Sequence, residues 1–270
     1  MPVTSSLVMN DGRTIPAIGF GTYLVSDAEA PRITREAVDL GYTLVDTAAL
    51  YGNERGVAEG LGGRDEVFVT TKLWRDALGY DSALRAFDES LERLGREHVD
   101  LYLIHWPMPR LGKFVDAWKA LIRLRDEGRA KSIGVSNFSP DHLRVLLDAT
   151  GVVPAVNQIE LHPAFQQHAH RQFHAAHDIV TQSWGPLGQG SLLGHPAIVR
   201  IAAARACTPA QAILAWHLQY GFAVIPKASA RERLAANLAA TEVTLEPEDI
   251  AAIDALDDPG GRLGPDPDLL

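Results

Sequence analysis

Short apolar runs punctuate the chain and alternate with amphipathic stretches. The runs read "AIGFGT", "TLVDT", "VFVTTK", "DLYLIHW", "SIGVSN", "AVNQIE", "IVTQSW" and "FAVIPK". Within each, apolar residues follow one another without alternation, and polarity enters at the C-terminal end. A strand buried on both faces of a parallel sheet has this pattern. Helical spacing of apolar positions marks the intervals 30–40, 54–61, 81–94, 114–127, 141–148 and 166–177. Eight strand–helix units in about 250 residues predict an α/β fold of the (β/α)8 TIM-barrel type. An open, doubly wound sheet is the rival, because strand–helix alternation alone fits both. Upstream, Asn10-Asp11-Gly12 supplies turn chemistry between two apolar runs. This predicts an N-terminal β-hairpin within residues 1–16, capping the bottom of the barrel. No Pro/Gly/Ser linker interrupts the interior, so one domain over 1–270 is expected. The tail 257–270, "DDPGGRLGPDPDLL", is expected as a loop across one face of the barrel, or frayed.

Composition narrows the function classes. The chain has 270 residues, 46% hydrophobic and 22% charged, which is ordinary for a globular protein. A net charge of -9 argues against nucleic acid and anionic membrane as partners. The single cysteine, Cys207, excludes a disulfide framework. No leader pattern opens the sequence, and no run approaches the roughly 20 apolar residues of a membrane span. A cytoplasmic monomer is expected. His170, His174 and His177 fall at helical spacing after His168, but no acidic or thiol partner accompanies them. No metal site is assigned.

The chemistry lies at the strand ends, where barrel active sites are built. The second strand ends in Asp46, with Tyr51 in the loop beyond; the third ends in Lys72 and the fourth in His105. Sequential strands are usually neighbours, so these four side chains should share one pocket wall. An isolated Asp–Lys pair is more often structural than catalytic. Four titratable residues on three consecutive strand ends point to a site. A tyrosine with its ordinary pKa near 10 is a poor acid at pH 7. A cation beside it lowers that value, and Lys72, held by Asp46, can be that cation. His105 can orient a carbonyl oxygen. The set suits polarising a C=O while a hydride or nucleophile arrives.

No Gly-x-Gly-x-x-Gly follows the first strand, so a Rossmann site is unsupported. The eighth strand instead ends "VIPKASARERLAAN", gathering Lys227, Arg231 and Arg233 where a helix begins, a suitable place for phosphate. The seventh ends "QSWGPLGQG", where Trp184 offers a flat ring and glycines admit a close backbone approach. Tyr23, Trp74 and Trp106 should form an aromatic substrate cup.

The stretches "GFGTY", "DTAALYGNE", "TTKLW", "LYLIHWP", "SIGVSNF", "NQIELHP", "SWGPLGQG" and "IPKASARERLAAN" occur in the order found in the aldo-keto reductase family. The chain resembles that family over nearly its whole length, most of all the bacterial 2,5-diketo-D-gluconate reductase-like branch. The resemblance implies a metal-free, NADPH-dependent reductase of small carbonyl substrates. It implies Tyr51 as general acid, tuned by Lys72 and Asp46, with His105 orienting the carbonyl. Ser136, Asn137 and Gln158 would hold the carboxamide, with Trp184 stacked on the nicotinamide. Gly185, Pro186, Leu187, Gly188 and Gln189 would cover the pyrophosphate. Lys227, with Ala228 and Ser229 beside it, and Arg233 would grip the 2′-phosphate, and Asn237 would meet the adenine. Gly21, Thr22 and Tyr23 would lie under ribose and substrate. Ala228 stands where a serine commonly follows the phosphate lysine, and Ala236 where a glutamate often precedes the asparagine. Both departures narrow the expected preference for NADPH over NADH. The competing readings are a Schiff-base aldolase using Lys72 and an NADPH-binding sensor with little turnover. The first leaves Lys227 and Arg233 unexplained, and the second leaves the four strand-end residues unexplained.

Overall fold

The computed structural model describes residues 6–270. The expected hairpin is present as β1 (Ser6–Val8) and β2 (Thr14–Pro16), antiparallel with Leu7 opposite Ile15. Positions 1–5 of the expected hairpin lie outside the described residues. Eight further strands follow: β3 (Phe20–Gly21), β4 (Leu44–Asp46), β5 (Phe68–Leu73), β6 (Val99–Ile104), β7 (Ala130–Ser136), β8 (Val156–Glu160), β9 (Val180–Trp184) and β10 (Ala223–Val224). They pair in parallel and in chain order. The first and last strands are themselves joined. Ile18 bridges Val224 in parallel, the Gly19 N–H donates to Val224 O at 2.8 Å, and the Val224 N–H donates to Ala17 O at 2.9 Å. A doubly wound sheet would reverse its strand order and leave two edges. Closure removes the edges and makes this a (β/α)8 barrel.

The helices are α1 (Ala30–Asp39), α2 (Glu54–Leu61), α3 (Tyr80–Leu94), α4 (Phe114–Asp126), α5 (Pro140–Thr150), α6 (His168–Ala176), α7 (Pro196–Ala204), α8 (Pro209–Gln219), α9 (Arg231–Leu238) and α10 (Pro247–Asp254). Two helices, not one, lie between β9 and β10. In α8 every residue from Ala212 to Leu218 is buried, as expected of a helix that is apolar all round. The outer face of α8 is covered by α7 and α10, with Ile198, Ile201, Ile213, Trp216 and Ile253 in one cluster. Among the described residues no single helix is long and apolar enough to cross a membrane.

The interior of the barrel is apolar at one end and polar at the other. Leu44, Leu101, Leu103 and Val156 fill the lower part, and Met9 and Ile15 of the hairpin segment belong to the same cluster. Asn10 Nδ2 donates to Pro154 O at 3.0 Å, at the entrance to β8. The hairpin therefore stoppers the N-terminal end of the barrel, leaving the C-terminal end for ligands. Ile15 is fully buried in this stopper. Replacing Ile15 by Ala is expected to lower the free energy of unfolding by about 2–5 kcal/mol, measured by urea denaturation.

Candidate active site

Strand register places the titratable residues. Asp46 is level with Thr70, two residues before Lys72, and Lys72 is level with Leu103, two residues before His105. Because alternate residues share a face, Asp46, Lys72 and His105 all point into the barrel, on three consecutive strands. Tyr51 lies in a short 3-10 turn, Ala49–Tyr51, just beyond β4. Its loop is tied down by Asn53, which accepts from Thr47 Oγ1 at 2.7 Å and donates to Thr22 O at 3.0 Å and Val25 O at 2.9 Å.

Lys72 Nζ donates to Asp46 Oδ1 at 2.5 Å, Thr47 O at 2.9 Å and Tyr51 Oη at 3.4 Å. Around them stand aromatic rings: Tyr51 and His105 lie 5.6 Å apart between centroids, Trp74 and His105 5.3 Å, and Tyr23 and Tyr51 5.2 Å. The structure thus brings together Asp46, Tyr51, Lys72 and His105, with Tyr23 and Trp74 as walls. Trp106 follows His105 just beyond β6, half-buried, with part of its side chain packed against the core.

Burial pushes the Asp46 carboxyl up and the Lys72 ammonium down, and the contact between them opposes both shifts. Tyr51 departs from the expectation of a lowered pKa. Burial, the Asp46 carboxylate and Tyr23 raise its phenol well above the ordinary value. The ammonium lies closer to Asp46 than to the phenol, so its charge is largely spent on the carboxylate. Burial and the Lys72 charge hold His105 well below the ordinary imidazole value. At neutral pH the pocket therefore presents a protonated phenol beside a neutral imidazole.

A polar network continues across the barrel. Gln158 Nε2 donates to Asp46 Oδ2 at 2.8 Å and to Gln182 Oε1 at 2.7 Å. Ser136 Oγ donates to Gln158 O at 2.8 Å. Asn137 Nδ2 donates to His105 O and to Ser136 Oγ, both at 3.0 Å, while Asn137 Oδ1 accepts from Trp184 Nε1 at 2.7 Å. Trp184 is half-buried at the mouth. Gly185, Gly188, Gln189 and Gly190 all have positive φ, between +53° and +86°. Such a loop turns backbone N–H groups towards an anion. Behind it, the buried His217 ring contacts Ser183 Oγ and Pro186 O, each at 3.1 Å. Lys227, Arg231 and Arg233 are exposed where α9 begins, with Arg233 Nη2 3.5 Å from Ser229 Oγ. Ala228 and Asn237 are buried beside them, as are Gly21 and Thr22 next to Asp46. An indole and a positive-φ loop after β9, with three exposed cations after the neighbouring β10, fit an anionic dinucleotide.

Sequence reading missed several members. Gln182 and His217 lay unremarked inside an apolar run and an apolar helix. Glu54 is buried, accepting from Thr71 Oγ1 and Arg93 Nε, each at 2.6 Å. Glu160 and His162 carry no role in the sequence reading, although they fall within "NQIELHP". A buried carboxylate two residues beyond Gln158, on the same inward face, was the available signal for Glu160. Two histidines at the end of α6 make structural contacts: His174 contacts Asn157 and Thr181, each at 2.9 Å, and His177, just beyond the helix, stacks on Phe173.

Fold and site together define a (β/α)8-barrel protein with an acid, an ammonium, a phenol and a neutral imidazole gathered where barrel enzymes keep their chemistry. Comparison with known proteins carries this further. The model of the aldo/keto reductase family matches residues 17–258, and the chain belongs to that family. An aldo-keto reductase of Mycobacterium sp. (strain KMS) is 49% identical over 265 residues, covering 97% of this chain and 96% of the relative. Among solved structures, a substituted Gox0644 in complex with NADPH is 51% identical with a TM-score of 0.97, covering 98% of both chains. An aldo/keto reductase from Brucella melitensis is 48% identical with a TM-score of 0.92, covering 95% of this chain and all of that one.

Buried neutral histidine sets a pH dependence. Burial lowers His217 to about 3, whereas the unfolded ring protonates below about 6.5. Between those values the unfolded state binds more protons, so stability falls as pH drops from about 6.5 towards about 3. Urea denaturation at a series of pH values is expected to show this loss, with a shallower slope in His217→Gln.

Proposed function

We propose that this chain reduces aldehydes and ketones to alcohols with NADPH, and that Tyr51 is the proton donor. The observation that carries the reading is the position of the Tyr51 hydroxyl, 3.4 Å from Lys72 Nζ and walled by Tyr23, Trp74 and His105. NADPH, when bound, supplies the hydride for the carbonyl carbon. Everything else falls to the residues of the chain. The carbonyl oxygen takes up the phenolic proton of Tyr51, and the product is the alcohol. Lys72 stabilises the tyrosinate left behind, since an ammonium within hydrogen-bond reach favours the charged phenol once its proton has gone. Asp46 holds the ammonium in place at 2.5 Å. His105, neutral, can donate a hydrogen bond to the same oxygen without adding a second positive charge beside Lys72.

Trp184 would lie against the nicotinamide, and Ser136, Asn137 and Gln158 would meet its carboxamide. The loop from Gly185 to Gln189 would take the pyrophosphate. Lys227 and Arg233 would take the 2′-phosphate, and Asn237 the adenine. The apolar walls suit small aldehydes, α-dicarbonyls or keto sugars. The tryptophan at 184 supports placing the chain with the 2,5-diketo-D-gluconate reductase-like branch. Lys72 is fully buried and donates to three oxygens, which argues against Schiff-base chemistry.

Tyr51→Phe is expected to abolish NADPH-dependent reduction of phenylglyoxal and methylglyoxal while leaving NADPH affinity within about threefold, since the cofactor contacts lie elsewhere. A variant that retains most of its turnover would remove Tyr51 from the acid role. Arg233→Ala is expected to weaken NADPH by about tenfold or more while barely changing NADH, because only the former carries the extra phosphate. Equal losses for the two nucleotides would contradict the assignment.

A further inference from the structure

Glu160 is the last residue of β8 and level with Trp184 on β9. Its carboxylate is buried, yet it faces no arginine or lysine. Oε1 accepts from the Leu263 N–H at 2.6 Å and lies 3.0 Å from His162 Nε2, and Oε2 accepts from the Gly264 N–H at 2.8 Å. A charged side chain inside the protein is thus satisfied by the backbone of the C-terminal tail, about a hundred residues away in sequence. Burial alone would raise this carboxyl, but the hydrogen bonds from His162, Leu263 and Gly264 outweigh it and hold the group below the usual carboxylate range.

The tail fits closely around this carboxylate. A Cβ on Gly264 would stand 2.7 Å from Trp184 Cη2 and 3.0 Å from Glu160 Oε2. A Cβ on Gly261 would stand 1.8 Å from Ala164 O. The tail backbone therefore lies directly against the benzo edge of the Trp184 indole. Further along the same edge, Nε1 of that indole is held by its hydrogen bond to Asn137 Oδ1. The indole is gripped at two points, and one of them exists only while the tail is seated. His162 extends the arrangement: its Nδ1 is buried without a hydrogen-bond partner, and it lies 3.3 Å from where a Cβ on Gly188 would stand. Glu160 and His162 thus sit beneath both the tail and the glycine loop 185–190.

We propose that Glu160 is a positioning residue that latches the tail backbone at Leu263 and Gly264 against Trp184, fixing the indole face that borders the cofactor and carbonyl sites. The consequence for catalysis rests on the function proposed above, while the latch itself rests on geometry alone. Anchoring by a carboxylate suits this task, because each oxygen accepts a backbone N–H whatever side chains the tail carries, and charge-assisted bonds of this kind are stronger than neutral ones.

Two substitutions test this from different sides. Glu160→Gln keeps the shape but turns an amide NH2 towards donors that need an acceptor. Gly264→Ala leaves the carboxylate in place and pushes a methyl against the indole. Three quantities are read in each: amide hydrogen exchange at residues 263 and 264, NADPH affinity by quenching of protein fluorescence, and KM and kcat for phenylglyoxal. Glu160→Gln is expected to speed exchange of both amides by about tenfold or more and to raise both the NADPH Kd and the phenylglyoxal KM by about tenfold, with a smaller change in kcat. Gly264→Ala is expected to raise the same two constants. Unchanged exchange in Glu160→Gln would overturn the latch. Faster exchange with wild-type Kd and KM would overturn the positioning role. If Glu160→Gln fails to fold, wild-type constants in Gly264→Ala overturn the proposal and raised ones support it. A wild-type protein without phenylglyoxal reduction would count against the proposed function only, and exchange together with NADPH affinity would still decide the role of Glu160.

Discussion

An ammonium and a carboxylate 2.5 Å apart, both almost wholly removed from water, govern the upper half of this barrel. Burying such a pair costs several kcal/mol per ion before any attraction is counted, and apolar residues of similar size often serve stability as well. The arrangement makes physical sense when every remaining donor and acceptor is used, and here they are. Thr47 O and the Tyr51 hydroxyl take further hydrogen bonds from Lys72, and Gln158 satisfies the second oxygen of Asp46. Because its partners come from β4, β5, β8 and the turn beyond β4, the pair also welds those elements into one frame. The phenol inherits its position from that frame. It keeps its proton at neutral pH because burial and Asp46 outweigh an ammonium whose charge is already engaged.

The rest of the mouth follows from the same division of the barrel into an apolar lower half and a polar upper one. With Met9 and Ile15 closing the bottom, inward-facing polar residues have one open end to serve. Gln158, Gln182, Ser136 and Asn137 carry the network from the ion pair to Trp184. Glu160, level with Trp184 on the neighbouring strand, separately holds the tail backbone beside the indole. Phenol, indole and tail backbone are thereby each held by buried side chains of the barrel mouth, which suits a site needing small positional tolerances.

Much of this was legible in the chain. Parallel strands read as unbroken apolar runs, so the polar residues ending them stand out, and Asp46, Lys72 and His105 could be placed on one wall from strand order alone. Closure of the sheet could not be read, because it depends on the two-residue β3 meeting β10 through backbone atoms. The direction of the Tyr51 shift needed relative distances, since Lys72 and Asp46 pull it in opposite senses. Glu160 left almost no trace, because its partners are N–H groups of a tail whose side chains take no part. Gln182 and His217 were hidden for the related reason that a buried polar residue declares itself only through its partner. The individual roles assigned to the cofactor contacts came from the family resemblance, not from spacing.

The central claim is that a proton leaves Tyr51 as hydride reaches the carbonyl carbon. Isotope effects on phenylglyoxal reduction test it most directly, measured with NADPH deuterated at the transferred position and, in the same series, in H2O and D2O. The expected result is a primary effect from the cofactor accompanied by a normal solvent effect, with both retained when the two substitutions are combined. A clear cofactor effect with no solvent effect would mean that no proton moves with the hydride, and the phenol would lose its role.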